Sequence, residues 1–234
     1  MSGVKAIVLL SGGQDSVTSL YWAKEKFKEV CAISFNYNQK HSIELQSAKK
    51  IAELANIEHE IINIPNCLKS TSPLVSDNPL ETYSDYEEMN NVIKNRQEIT
   101  FVPMRNALFL TIAANRASYY NALNIVTGIC EMDGANFDDC KLEFLAATEK
   151  YINTAIGNDS RDAPWIHLYA PLLRLSKAES IKLAQSFDGA MEAMAFSHTC
   201  YAGEFPPCGK CHSCLLRAEG FKLAGVIDPI LAHQ

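Results

Sequence analysis

The chain has 234 residues, 47% of them hydrophobic, and a formal net charge of -6, which together predict a globular domain. The acidic balance argues against direct nucleic-acid binding, because phosphate backbones are bound by clustered Lys and Arg. The longest apolar runs fall far short of the ~18 residues that a membrane span needs, and no secretory signal is visible at the start. We therefore expect a cytoplasmic protein whose eight cysteines are reduced, and so serve as metal ligands, catalytic groups or core residues.

Strand-like and helix-like patterns alternate along the chain. A short continuous apolar run, which is typical of a buried parallel strand, occurs at 5–10, and further strands are predicted at 30–37, 58–64 and 123–129. Helical patterns occur at 15–27, 42–56, 105–120, 143–156 and 177–186. This alternation predicts an α/β fold, a single domain over 1–234 in which helices cover both faces of a parallel sheet.

The segment from Pro65 to Gln97 interrupts this alternation. It is polar, weakly patterned and broken by three prolines. A connection of this length in a compact domain is either a functional loop or a disordered one, and the residues alone leave both open.

The stretch SGGQDS, Ser11 to Ser16, follows the first predicted strand and leads into the first predicted helix. Gly12 and Gly13 let the backbone approach an anion closely, and the helix start offers free N–H groups and the positive end of its dipole. The Lys of a Walker loop is missing, which favours attack at the α-phosphorus of a nucleotide, with pyrophosphate leaving, over transfer of the γ-phosphoryl group. The alternative is a plain glycine turn in which Asp15 caps the helix.

Four of the cysteines lie close together near the C-terminus. They are separated by seven, two and two residues: Cys200, Cys208, Cys211 and Cys214. Four thiolates at this spacing in a reduced compartment predict a closed, structural zinc site within 198–216. Two alternatives to zinc stay open. Four reduced thiols without a metal are the weaker one, and an iron–sulfur cluster is the stronger one, because ferredoxins share the C-x2-C-x2-C spacing. His198 and His212 are possible substitute ligands, although a complete set of cysteines makes them less necessary.

The SGGxDS loop between a strand and a helix resembles the pyrophosphate (PP) loop of the N-type ATP pyrophosphatases, which include GMP, asparagine and NAD synthetases. Together with the cysteine tail, it resembles the 7-cyano-7-deazaguanine synthase (QueC) family over nearly the whole chain. The likeness is carried by LSGGQDSVTSL, FNYNQKH followed by Glu44, TFVPMRN, GICEMD, DCKLEF, PLLRLSKAE and TCYAGE…CGKCHSCLLRAEGF.

This resemblance implies a Rossmann-like fold of the adenine nucleotide alpha hydrolase type with a C-terminal zinc-binding segment. It implies ATP, Mg²⁺ and one Zn²⁺ per chain, and a homodimer. The implied reaction converts 7-carboxy-7-deazaguanine and ammonia, through an adenylate and an amide, to 7-cyano-7-deazaguanine on the route to queuosine.

The resemblance also implies roles for individual residues. The catalytic candidates, which act on the phosphates, are Asp15, Ser16, Arg105 and Lys177. The ATP-binding candidates are Leu10, Ser11, Gly12, Gly13, Gln14, Asp15, Ser16, Val17, Thr18 and Phe35, where Phe35 is either an adenine neighbour or a core aromatic. Four residues are candidates for binding the guanine-like base. Asp139, or alternatively Glu131, would accept hydrogen bonds from its edge, and Phe137 would stack on its ring. Cys140 would line the pocket or, as in thiolation chemistry, act as a nucleophile.

The sequence departs from the family pattern in three loops. Asn38 and Met104 replace glycines, and the stretch DGANFDDCK carries Phe137, Asp138 and Lys141 in place of Tyr, Pro and Arg. Asn tolerates a left-handed backbone, whereas Met104 adds a long side chain where close backbone approach was allowed. These changes keep two alternatives open. One is a ligase that stops at the amide and joins the base to a protein or peptide amine, as is associated with antiviral (CBASS) operons, and the other is a non-catalytic nucleotide-binding module.

Overall fold

The computed structural model describes residues 5–39, 43–94, 96–132, 136–158 and 164–233. Its centre is a five-stranded sheet in which every strand pair is parallel. The strands are β1 Ala6–Leu9, β2 Val30–Asn36, β3 Glu58–Asn63, β4 Asn124–Val126 and β5 His167–Tyr169, in the order β3-β2-β1-β4-β5. The central β1 pairs with β2 on one side and with β4 on the other. This accounts for its unbroken apolar sequence, because a strand covered on both faces has no side that meets water.

The described residues form eight α-helices. They are α1 Gln14–Lys26, α2 Ile43–Ala55, α3 Tyr86–Ile93, α4 Arg105–Tyr120, α5 Leu142–Ala155, α6 Lys177–Gln185, α7 Ala190–Met194 and α8 His212–Ala224. Successive residues of β1 face opposite sides, so that Val8 packs in one core with α1, α2, α6 and α7, whereas Ile7 packs in a second core with α4 and α5. The predicted α/β architecture with helices on both faces is confirmed.

The five predicted helices agree with α1, α2, α4, α5 and α6 to within two residues. Strand β5 was not predicted, because three residues, His167–Tyr169, give no readable apolar run. Helices α3, α7 and α8 were also not predicted. The first two have only eight and five residues, and in α8 the cysteine spacing dominated the interpretation.

The segment 65–97 is folded where it is described. Helix α3 lies within it, and the Asp85 side chain caps this helix by accepting a hydrogen bond from the Glu88 N–H at 2.9 Å. Met89 and Ile93 of α3 pack in a small core against Leu215 of α8. The disordered alternative for this segment is therefore wrong for its described residues.

In the part of the chain that the structure describes, no helix is long and apolar enough to cross a membrane.

Candidate active site

A cavity of about 480 Å³ lies at the carboxyl ends of β1, β2 and β4. Its wall is formed by the residues that follow these strands and by the first turns of α1, α2, α4, α6 and α8. Ligands of open parallel sheets bind at this edge, so the cavity is the candidate active site.

The SGGQDS loop forms one end of the cavity. Gly12 has a φ of +91°, and a Cβ at this position would lie 2.2 Å from the backbone oxygen of Glu44, so only glycine fits. The Ser16 hydroxyl fastens the loop: it donates to the Gly13 carbonyl at 2.7 Å and accepts from the Gly12 N–H at 3.2 Å. Helix α1 then begins at the cavity wall, where its first-turn N–H groups have no acceptor within the helix.

Asp15 does not cap α1. The N-cap residue is Gly13, and the Asp15 carboxylate instead accepts from the Lys177 ammonium at 2.8 and 2.9 Å. Lys177 begins α6 and is buried, and its stem packs against Gly220 of α8. The structure thus brings together two predicted catalytic residues that are 162 positions apart, and it places a positive charge beside the glycine loop.

Arg105, the first residue of α4, also lines the cavity. Burial alone would lower the pKa of Arg105, but the neighbouring Tyr37, Tyr201 and Asp139 raise it above the ordinary value. The guanidinium is therefore a fixed positive charge. Met104, immediately before it, has a φ of 66° and a side chain that is 69% exposed. The glycine of the family pattern thus suits a left-handed backbone here, and the expectation that Met104 fills a place of close backbone approach is not supported.

Glu44 lies in the first turn of α2 and also lines the cavity. Burial raises its pKa to about 7, Arg105 opposes this rise, and Cys200 adds to it. Sequence reasoning included Glu44 in a family motif but assigned it no role, because nothing in the sequence places α2 beside α4.

The predicted base-binding residues lie along another stretch of wall. Phe137, Cys140 and Glu131 line the cavity together with Asn106, which sequence reasoning missed. The Asn106 amide donates to the Asp139 backbone oxygen at 3.3 Å. Asp139 itself is not among the residues lining the cavity, and burial raises its pKa although Arg105 opposes the shift.

The loop that carries Phe137 is held by the segment 65–97. The Asn136 amide donates to the backbone oxygens of Ile93 and Arg96 at 3.1 and 2.8 Å, and the Phe137 ring lies 5.4 Å from that of Phe101. The two hydrogen bonds join the segment 65–97 to the cavity wall at Asn136, and a functional role of the segment stays a prediction.

The predicted ATP-binding residues are divided between the cavity and the core. Leu10, Ser11, Gly13 and Gln14 line the cavity, whereas the Val17 and Thr18 side chains are buried in α1 outside its lining. Phe35 is buried and stacks on Phe109 with ring centroids 4.1 Å apart, as a core aromatic does. It also lines the cavity, so its role beside the adenine stays a prediction.

The four C-terminal cysteines form a compact cluster in which all four Sγ atoms lie within 4.8 Å of one another. A tetrahedral ion with metal–sulfur distances of ~2.3 Å would hold its sulfurs about 3.8 Å apart, and the Sγ atoms of Cys208 and Cys214 are separated by 3.9 Å. Hydrogen bonds from Cys211 and Cys214 hold the pKa of the Cys200 thiol well below its ordinary value, which favours a thiolate. The donors therefore fit one zinc-sized ion, whereas a four-iron cluster would hold each sulfur on a different iron and farther apart.

Among the described residues the metal cluster contains no histidine. His198 instead contacts the Glu204 carbonyl through Nε2 at 3.1 Å, and both His198 and His212 line the cavity. Thr199 and Tyr201 line it too. The segment 198–216 that carries the four cysteines, called the metal segment below, therefore also forms part of the cavity wall.

The parallel sheet, the glycine loop that opens α1 and the cavity at the carboxyl edge define a Rossmann-like, PP-loop type of nucleotide-binding fold. A 4-thiouridine synthetase solved in complex with RNA and ATP has this fold, with a TM-score of 0.50 and 15% identity over 94% of this chain and 53% of that chain. Residues 5–225 match the family model described as "Queuosine biosynthesis protein QueC", and the chain therefore belongs to the QueC family.

Curated relatives agree with this assignment. A 7-cyano-7-deazaguanine synthase of Gloeobacter violaceus is 45% identical over 97% of this chain and 95% of its own length. Proteins of the same name from Laribacter hongkongensis and Chromobacterium violaceum are 45% and 44% identical, and the matches cover 97% and 98% of this chain and 93% and 94% of theirs.

Proposed function

We propose that this protein converts 7-carboxy-7-deazaguanine, ammonia and ATP to 7-cyano-7-deazaguanine. The observation that carries the proposal is the ion pair between Lys177 and Asp15 beside the SGGQDS loop, in a chain of the QueC family.

The loop end of the cavity suits the phosphates of ATP. The first turn of α1 supplies N–H donors, and Lys177 and Arg105, which both line the cavity, supply positive charge. In the first step, an oxygen of the substrate carboxylate attacks the α-phosphorus, and pyrophosphate leaves. Lys177 and Arg105 then stabilise the charge that develops on the phosphate oxygens.

The other wall suits a flat, guanine-like base. Phe137 offers a stacking face, and Glu131 offers two acceptors to the N1–H and amino group of the base. We prefer Glu131 to Asp139 for this role, because Glu131 lines the cavity whereas the enclosed Asp139 lies beside Arg105. Cys140 lines the base subsite, and the proposed reaction contains no thiol step.

Ammonia then displaces AMP from the adenylate and gives the amide. A second ATP activates the amide oxygen in the same way, and loss of AMP and a proton leaves the nitrile. Both steps use the same phosphate subsite, so the amide must turn its oxygen toward the α-phosphorus of the second ATP.

Two metals complete the proposal. The four clustered cysteines would hold one structural Zn²⁺ per chain, which leaves no open position for catalysis. Mg²⁺ would enter with the phosphates of ATP and neutralise part of their charge. We also expect a homodimer, which light scattering would test.

The test is mass spectrometry after incubation with ATP, 7-carboxy-7-deazaguanine and ammonium. We expect nitrile, AMP and pyrophosphate, and ADP with phosphate would contradict the adenylation step. Accumulated amide, or a protein-sized adduct, would instead support the ligase alternative.

The described residues give no observation that favours that alternative. Asn38 and Met104 both have left-handed backbones, with φ values of 60° and 66°, so both departures fall where a glycine serves backbone geometry. Of the remaining departures, Phe137 and Lys141 line the cavity, where Phe137 keeps an aromatic face and Lys141 keeps the positive charge of the arginine that it replaces.

A further inference from the structure

We propose that Glu44 binds the nitrogen nucleophile as ammonium and takes the proton that ammonium must lose before it attacks the adenylate. This assignment rests on the proposed function and adds a catalytic residue to it.

The cavity wall has three carboxylate side chains among the described residues: Asp15, Glu44 and Glu131. Asp15 is bound to Lys177, and Glu131 is exposed. Glu44 is half-buried inside the cavity, and within the described part of the chain no ion pair or hydrogen bond engages its carboxylate.

The position of Glu44 relative to the phosphate loop is fixed by the backbone. Its carbonyl oxygen occupies the space beside Gly12, and a Cβ on Gly12 would come within 2.2 Å of it. The side chain therefore belongs to the part of the wall between the loop and Arg105. Under the proposed function the glycine loop holds the phosphates of ATP, so the adenylate would form next to this part of the wall.

A carboxylate in this place disfavours both large reactants, because ATP and the deazaguanine acid are anions. The carboxylate favours the remaining reactant, ammonia, because ammonia in neutral water is mostly the ammonium cation. The groups that face Glu44 come from other elements and do not replace such a partner. They are Arg105 of α4, Tyr37 after β2, and Tyr201 and Cys200 of the metal segment.

The protons balance as follows. Ammonium gives one proton to Glu44 and attacks the acyl carbon as ammonia, so that a C–N bond forms. The C–O bond to AMP breaks, AMP leaves with its electron pair, and the second proton passes from the new nitrogen to water. Glu44 returns its proton to solvent before the next cycle.

The experiment separates adenylation from amide formation. Adenylation is measured as the exchange of labelled pyrophosphate into ATP that depends on 7-carboxy-7-deazaguanine. Amide formation is measured as the sum of amide and nitrile produced at varied ammonium concentrations. Glu44→Gln should retain the exchange within about threefold and lose the ammonium-dependent step by about 100-fold or more. Hydroxylamine, which is neutral at pH 7, should restore product formation as the hydroxamate. Glu44→Asp should retain part of the ammonium-dependent rate.

Glu53→Gln provides the matched control, because this exposed residue lies on the same helix and the change removes the same charge. Zinc content and melting temperature check that each variant is folded. If Glu44→Gln loses both the exchange and amide formation, the assignment is wrong. It is also wrong if the dependence of product formation on ammonium is unchanged in this variant. If the unmodified protein shows no base-dependent exchange, the proposed function fails and the role of Glu44 falls with it.

Discussion

Replacing Gly220 of α8 by alanine should disturb the proposed phosphate subsite, because Gly220 packs against the stem of Lys177 at the start of α6. A Cβ at Gly220 would lie 2.5 Å from Cγ and 3.0 Å from Cβ of Lys177, and 3.2 Å from Cδ1 of Ile181. Ordinary contact begins at 3.4 Å, so the Lys177 stem must move by about 0.9 Å. Since Lys177 is buried between α1 and α8, its ammonium has little freedom to compensate and should lose its alignment with Asp15.

Two effects oppose each other in the stability of Gly220→Ala. Overpacking a core costs about 1–3 kcal/mol, whereas alanine in place of glycine within a helix returns up to ~1 kcal/mol. We therefore expect a net loss of about 1–2 kcal/mol, seen as a melting temperature lower by roughly 2–8 °C. The catalytic effect should be larger, because a misplacement of ~1 Å costs up to 100-fold. Base-dependent exchange of pyrophosphate into ATP should fall by about 10- to 100-fold.

A double-mutant cycle tests whether the effect passes through Lys177. Lys177→Met alone should nearly abolish the exchange, and Gly220→Ala should add little to it, since the two changes act on one contact. Metal content should equal that of the unmodified protein, because α8 also carries Cys214 of the cysteine cluster. Full exchange activity in Gly220→Ala, or losses that add independently in the double variant, would refute this reasoning.

Three further predictions follow from other parts of the structure. Cys211→Ser should lose the metal and aggregate, because ligation contributes on the order of 10 kcal/mol to a structural site. Elemental analysis measures the metal, and absorption near ~400 nm in the unmodified protein would show an iron–sulfur cluster instead of zinc. Met104→Gly should raise the unfolding free energy by up to about 1 kcal/mol in denaturant titration, because it relieves a left-handed φ of 66° on an exposed residue, and a loss of stability would contradict this. Asn136→Ala removes two hydrogen bonds that hold the Phe137 loop, so KM for the deazaguanine acid should rise about tenfold with KM for ATP unchanged; a parallel rise in both would exclude a role specific to the base.

The sequence by itself determined the local features of this protein. The apolar run that became β1 predicts a strand because no polar residue interrupts it, and SGGQDS predicts an anion loop because two glycines precede a helix start. The spacing of Cys200, Cys208, Cys211 and Cys214 predicts a metal cluster, because short intervals keep the four thiols close in any compact fold. Such inferences need only neighbours along the chain.

The tertiary structure decided which distant residues meet. The elements β5 and α3 are too short to show a periodic pattern in the sequence. They form because β5 pairs with β4 at the edge of the sheet and α3 packs against α8. The contact of Lys177 with Asp15 depends on how α6 crosses α1 and α8, and the entry of Tyr201 into the cavity wall depends on how the metal segment folds back. Glu44 could not be recognised as an active-site carboxylate from its surroundings in the sequence. The role proposed for Glu44 depends on the burial and the charges that α2, α4 and the metal segment create together, and these exist only after the chain has folded.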